Sequence, residues 1–292
     1  MEQPQLDDDR IVAVLDPLRK KKNTYSTIML IGFFGMAFLG NYIRTIWAPF
    51  VQLAGIIIAI VAAVLQYKVN NEYVNTYKQL ISKYVLKEYF EEASYKPLQG
   101  FTPEEFRDAH LIHWRSDFVY HAEDLIDGRY KDVEFKQSDV RITHQSGSGK
   151  HRHTVVDVDG RLIRFQYKKD IRGRILIVTD IHTAMLESGL SKVEMEDVEF
   201  NKQFDVYAPD AHSVYYLLTP HFMEYLKRLR SMDRTLYISF DGQELYVLRS
   251  GKGGIFEPPG GKLNVREEME KNRSELDEIR KLIEVLKLEE ER

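Results

Sequence analysis

The chain has no cysteine among its 292 residues, which excludes disulfides, thiolate metal sites, iron–sulfur clusters and a cysteine nucleophile. It also lacks a Gly-x-Ser-x-Gly elbow, a His-Glu-x-x-His pair, a Gly-x-x-x-x-Gly-Lys-Ser/Thr loop and a Gly-x-Gly-x-x-Gly turn. The common signatures of serine hydrolases, zinc peptidases and nucleotide-binding enzymes are therefore missing. There is no surplus of positive charge either: 41 basic side chains stand against 45 acidic ones, a formal net charge of −4. That balance excludes the broad basic surface of a nucleic-acid binder, and no nucleic-acid partner is expected. The remaining composition, 43% hydrophobic and 29% charged, is that of a folded protein.

Charge is scarcest between Ser26 and Tyr67, where Arg44 stands alone. The stretch divides into Ser26–Ile43 and Phe50–Tyr67, each close to the roughly 20 residues a helix needs to cross about 30 Å of hydrocarbon. Tyr25, Tyr42, Trp47 and Tyr67 stand at the four ends, where amphipathic rings favour the lipid–water interface. Pro49 suits the first turn of the second helix. The pattern predicts a two-helix transmembrane hairpin. Arg19, Lys20, Lys21 and Lys22 precede it and Lys68, Lys78, Lys83 and Lys87 follow, against Arg44 alone in the connector. The positive-inside bias then places both termini and the main domain in the cytoplasm of a multi-pass cell-membrane protein. Gly55, Ala59 and Ala63 fall at i, i+4 and i+8 on the second span, a stripe that lets two backbones approach closely.

Beyond the membrane, Lys68–Ser94 keeps helical spacing and reads as a stalk, ended by Pro97 and Gly100. Thr102, Pro103 and Glu105 form a capping box that opens a new helix. From about Asp127 the period changes to two, with Val133/Phe135 and Val140/Ile142 alternating. Two Asp-Gly pairs, Asp159-Gly160 and Asp241-Gly242, are each flanked by strand-like runs and predict two-residue hairpin turns. Further strands are expected at Arg174–Thr179, Val193–Glu199 and Phe204–Tyr207, then a helix from Pro209 to Arg230. Ser146–Lys150 reads as a loop between strands. The fold class is thus α+β. Residues 1–25 form a cytoplasmic segment, 26–67 the hairpin, 68–100 the stalk and 101–250 an antiparallel-rich cytoplasmic domain. Residues 251–262 form a Gly/Pro linker and 263–292 a C-terminal helix with heptad character.

The block Glu199-Phe-Asn-Lys-Gln-Phe-Asp-Val-Tyr-Ala208, followed by Tyr216-Leu-Leu-Thr-Pro-His-Phe-Met223, resembles a family of bacterial membrane proteins catalogued only as a domain of unknown function. The resemblance extends to Ile238–Gly242 and to Glu123, Asp124 and Gly128, over roughly residues 70–250. It implies two N-terminal spans with a cytoplasmic α+β domain, and it brings no catalytic residue or ligand.

Chemically reactive constellations are few. His110 and His113 lie three apart on the capped helix. His151 and His153 project to one side of a strand with Asp157 in reach, a weak metal candidate without a third firm ligand. No catalytic residue, metal or other cofactor is expected. In the C-terminal helix Val265, Met269, Asn272, Leu276, Ile279, Ile283 and Leu286 step by three and four. Asn272 is the polar interruption that fixes register in a coiled coil. Asn272, Leu276, Ile279 and Ile283 form the seam of a homo-oligomer, or an apolar face folded back on the chain's own domain or on the Lys68–Ser94 stalk. The sequence thus reads as a membrane-anchored, non-enzymatic binding or scaffold module, whose partners are the bilayer and an unidentified protein. The alternative is a membrane-anchored enzyme or ligand-binding regulator with a cleft in the cytoplasmic domain.

Overall fold

The computed structural model describes residues 3–42, 48–179, 189–232, 235–251 and 254–286, with the side chains of 3–8, 36–42, 48 and 167–172 outside the description. The chain is a mixed α+β protein with a large antiparallel sheet, and it divides into two compact units. The first comprises residues 1–82 and 256–270, the second residues 83–255 and 271–292.

The first unit is built on α1 (Gln3–Tyr42) and most of α2 (Ala48–Tyr89). The two run antiparallel: Gly32 faces Ala59, and the Lys22 ammonium lies over the Tyr73 ring at 5.3 Å. A Cβ placed on Gly32 would come within 3.4 Å of the Ala59 Cβ. The inner face carries Met29 and Gly32 on α1 and Gly55, Ala59, Ala62 and Ala63 on α2, all buried or half-buried. Large apolar side chains point the other way. Phe33 and Phe34 are each 64% exposed, and Ile56, Ile57, Ile58, Ile60, Val61 and Val64 are all exposed. Farther along, the inner face becomes ordinary core: Ile11 and Leu15 from α1, Val69, Tyr73, Tyr77 and Ile81 from α2, and Val265 and Met269 from the start of α7 (Val265–Leu286). There the Tyr77 hydroxyl donates to Glu268 at 3.1 Å, and Lys78 pairs with Glu257 at 2.5 Å.

Among the described residues one helix, Pro49–Tyr89, is long and apolar enough to cross a membrane, with 6% of its apolar window buried. This is one candidate span where the sequence leads one to expect two. The expected first span, Ser26–Ile43, is helical to Tyr42, but the side chains of its last eight residues lie outside the description. Trp47 lies outside the described residues, and so does the side chain of Tyr42.

The second unit contains the sheet. Its strands are β1 (Glu92–Lys96), β2 (Val119–Tyr130), β3 (Val133–Ser146), β4 (His153–Val178), β5 (Ser191–Lys192), β6 (Asp205–Ala208) and β7 (Thr235–Ser250). They order β1-β2-β3-β4-β6-β5, with β7 on the opposite side of β4. The segment expected to end the stalk helix is therefore partly the edge strand β1, paired with β2 from Glu92↔Arg129 to Lys96↔Leu125. Gly128 sits where this pairing leaves no room for a side chain, since a Cβ there would meet the Glu92 carbonyl at 2.6 Å.

Neither Asp-Gly pair makes a turn. Asp159-Gly160 lies inside β4, pairing with Arg141 and Val140 of β3, while Gly160 also faces Ser250 of β7. Asp241-Gly242 lies inside β7, opposite irregularities in β4, and of the four residues only Gly242 takes positive φ. Around Asp159-Gly160 the strand is held by ladders on both sides, and around Asp241-Gly242 by the single long ladder to β4; in each case pairing satisfies more backbone groups than a local turn would and overrides the turn preference. The tight turn between β2 and β3 is instead Lys131-Asp132, with φ of 47° and 61°. Gly160 is indispensable for a different reason: a Cβ there would lie 2.0 Å from the Arg249 carbonyl oxygen. Gly160→Ala is expected to destabilise the sheet by about 1–3 kcal/mol through overpacking, whereas Asp159→Ala, at an exposed strand position, changes little. Thermal unfolding of the two variants checks this, and equal losses would favour a turn.

The sheet is covered on both faces, which explains why Leu245–Leu248 is apolar throughout and does not alternate. One face carries Val140, Ile142, Val158, Leu162, Leu176, Tyr237 and Leu248 under Phe101, Phe106, Leu111 and Ile112. Phe106 belongs to α3 (Pro103–Asp108), whose capping box is formed as the sequence predicts. The other face carries Phe135, Ile163, Phe165, Val247 and Phe240, all buried. The expected helix Pro209–Arg230 is two helices, α5 (Ala211–Leu217) and α6 (Pro220–Met232), after the single-turn α4 (Val198–Asn201). Asp210 caps α5, and Pro220 opens α6 with the Thr219 hydroxyl accepting from the Phe222 N–H. The strand expected over Val193–Glu199 does not form: β5 ends at Lys192, and Asp197 caps α4.

Candidate functional site

The most highly constrained chemistry lies where α7 meets the sheet within the second unit. Arg161 is 2% exposed. Its Nε donates to Asp139 at 2.9 Å and its Nη1 to Glu275 of α7 at 2.7 Å. The other Asp139 oxygen accepts the Ile255 N–H at 2.8 Å. Burial alone would push the Arg161 guanidinium down, and Asp139 and Glu275 more than offset it, holding it above its ordinary value. Directly across the ladder from Arg161 stands a second buried arginine, Arg249. Like charges opposed on one sheet face repel, so acidic partners are required around them. One helical turn past Glu275, Glu278 accepts from the Tyr225 hydroxyl of α6 at 3.0 Å. Burial and that carboxylate both push the Tyr225 hydroxyl up.

Around this charge network the apolar side of α7 is closed. Leu276, Ile279, Leu282 and Ile283 are fully buried and Asn272 is 2% exposed. The rim is polar: Arg273 bonds Glu88 at 2.9 Å, Arg280 lies over the Tyr130 ring at 4.9 Å, and Glu284 accepts from the Tyr130 hydroxyl at 2.7 Å. The four residues read as a seam for a second copy are buried within the single chain. Ile255 and Phe256, inside the expected Gly/Pro linker, are likewise buried.

A groove of about 790 Å³ opens along β1 and the end of α2, on the same unit. Phe90 and Phe135 meet at its wall with ring centroids 4.6 Å apart and planes tilted by 47°, and Leu86, Glu91, Glu92 and Arg164 are among its lining. Its cations are mostly engaged: Lys96 with Asp127 at 3.3 Å, Arg129 with Glu134 at 2.9 Å, and Lys136 with Glu105 of α3. Burial pushes the Glu105 carboxyl up, but the Lys136 ammonium and the Thr102 N–H outweigh it and leave the group below its ordinary value.

The histidines do not assemble as expected. His151 and His153 are exposed at the β3–β4 hairpin, with His153 Nδ1 3.2 Å from the His151 carbonyl. Asp157 turns to His144 instead, Oδ2 to Nδ1 at 2.6 Å. The register shift between Ile142 and Thr143 leaves Asp157 without a ladder partner, and such a bulge re-aims its side chain. Among the described residues no group of three or more His, Cys, Asp or Glu side chains could hold a metal ion. His110 lies just past α3 in positive φ, and its carbonyl accepts from buried Arg174.

Tyr25 is half-buried and Tyr67 is 68% exposed at the ends of the apolar stretches. The sequence shows no signal for the Arg161 network beyond the oddity of Arg161 and Arg249 inside apolar strand runs. Nothing local pairs His144 with Asp157.

Residues 157–288 match the family described as "Protein of unknown function (DUF3137)". The block 199–223 lies inside this region, which starts within β4 and runs through α7; Glu123–Gly128 and the apolar N-terminal helices lie outside it. No curated protein matches the chain. Among solved structures, the mycobacterial trehalose monomycolate transport factor A, TtfA, is similar over 72% of this chain and 96% of its own, at 6% identity and a TM-score of 0.38.

Proposed function

We propose that the chain is a membrane-anchored, non-enzymatic binding module. In this reading α1 and α2 cross the bilayer as a hairpin, with both termini and the sheet-bearing unit in the cytoplasm. The observation that carries it is the inverted polarity of the hairpin. Small residues face inward at Gly32, Gly55, Ala59 and Ala63, while Phe33, Phe34, Ile57 and Ile60 face outward. A soluble helix pair buries its large apolar side chains, and only a lipid solvent rewards the reverse. Lysine and arginine concentrated on both flanks support the orientation. Anchoring then leaves the groove beside β1 as the place where the sheet-bearing unit receives its protein partner. We propose further that α7 acts inside one chain as a clasp and leaves copy-to-copy pairing to other surfaces.

Protease added to sealed inverted membrane vesicles should cleave tags placed before Gln3 and after Arg292 equally. Protection of either tag, with the other cleaved, would rule out the hairpin.

A further inference from the structure

We infer that Lys20, Lys21 and Lys68 form a collar that binds the headgroups of anionic phospholipids, an inference that rests on the membrane-anchored reading above. The geometry comes from one contact. Gly32 and Ala59 meet between α1 and α2, and the helices run antiparallel from there. With a rise of about 1.5 Å per residue, ten residues span about 15 Å, half the thickness of a bilayer core. Moving that far from the contact leads to Tyr42 and Pro49 in one direction and to Lys22 and Val69 in the other. The Gly32–Ala59 contact is thereby assigned to the midplane. Lys20, Lys21 and Lys68 lie about 14–18 Å from it along their helices, where headgroups begin.

The basic residues at this level divide into two kinds. Lys22 turns inward over Tyr73, and Arg19 is half-buried on the same side of α1. Lys20, Lys21 and Lys68 are exposed, and the Lys20 side chain is 77% exposed even while bonded to Asp16. The acids are sorted by depth. Asp16 stands one turn below Lys20 and Glu72 one turn below Lys68, each about 6 Å farther from the midplane. The layer nearest the lipid is thus cationic, and its counter-charges on the protein sit behind it. A phosphate diester headgroup completes that layer from the membrane side, each lysine favouring an anionic lipid by roughly fivefold.

The test uses the full chain reconstituted in phosphatidylcholine vesicles containing phosphatidylglycerol as the minor lipid. The lipid retained on the protein after mild detergent extraction is measured by mass spectrometry against the bulk composition. Wild type should retain several-fold more phosphatidylglycerol than the bulk ratio. The triple variant Lys20→Gln, Lys21→Gln, Lys68→Gln should fall to the bulk ratio, and the corresponding Lys→Arg triple should keep the enrichment. Flotation of each protein with its vesicles is scored separately. Protein that floats but retains lipid at the bulk ratio overturns the collar and leaves anchoring intact, whereas wild type that fails to float overturns anchoring and the collar together. Equal enrichment in wild type and the Gln triple assigns the anionic lipid to other residues and also overturns the collar.

Discussion

Replacing Arg161 by Met is expected to lower the stability of the sheet-bearing unit by about 3–5 kcal/mol. The guanidinium is the shared partner of Asp139 and Glu275, at 2.9 and 2.7 Å, in a site where it is itself almost wholly removed from water. Methionine fills much of the volume but removes the guanidinium to which both of these largely buried carboxylates bond. Asp139 would still accept the Ile255 N–H, which satisfies one oxygen and none of the charge. The effect should therefore come from stranded acids, with little from lost packing. Adding Asp139→Asn and Glu275→Gln to Arg161→Met should recover a large part of the loss, because neutral amides carry a smaller desolvation penalty. Hydrogen exchange of β3 and β4 amides measures both. A triple variant no more stable than the single one would show that shape, not charge, matters at Arg161.

Ile279→Asp should have a comparable or larger effect, more than about 4 kcal/mol, since it exchanges a fully buried apolar side chain for an unpaired carboxylate. The helix has a less costly response than keeping that charge inside. It can release its apolar face, exposing Leu276, Leu282 and Ile283 while the sheet keeps its own pairing. Protease should then cut within α7 far faster than in wild type. The mass of the detergent-solubilised protein should be unchanged, because the face closes on the same chain. A wild-type oligomer that falls to monomer with Ile279→Asp would instead make this face a contact between copies.

The features legible from sequence are those decided over a few residues or by composition alone. The Thr102–Pro103–Glu105 box is one: its hydrogen bonds span three residues, and the structure forms both of them. The apolar stretch Phe50–Tyr67 is another, since a charge-free run long enough to cross a membrane is legible whatever it packs against. The apolar face of α7 is a third, and Asn272, Leu276, Ile279 and Ile283 on it are buried. What the period does not contain is the identity of the surface that buries it.

The misread elements share one cause. Asp159-Gly160 and Asp241-Gly242 have the local signature of a tight turn, while Lys131-Asp132, the pair that does turn, has none. The chain runs straight through the first because β4 is paired on both sides, with β3 and β6 along one edge and β7 along the other, and through the second because β7 pairs with β4 on either side of it. A 26-residue strand lies far outside the usual range of roughly 3–10, so any local rule divides it. The same long-range pairing sets Arg161 opposite Arg249 and leaves Asp157 free to reach His144. The sequence by itself determined which segment is long and apolar enough to cross a membrane, where α3 begins and which face of α7 is apolar. Those preferences arise from groups a few residues apart and need no partner. Only the tertiary structure decided which strands turn, which charges are buried together and what α7 closes against. Those outcomes depend on hydrogen bonds and desolvation between residues as far apart as Arg161 and Glu275, whose energies exceed the local preferences they override.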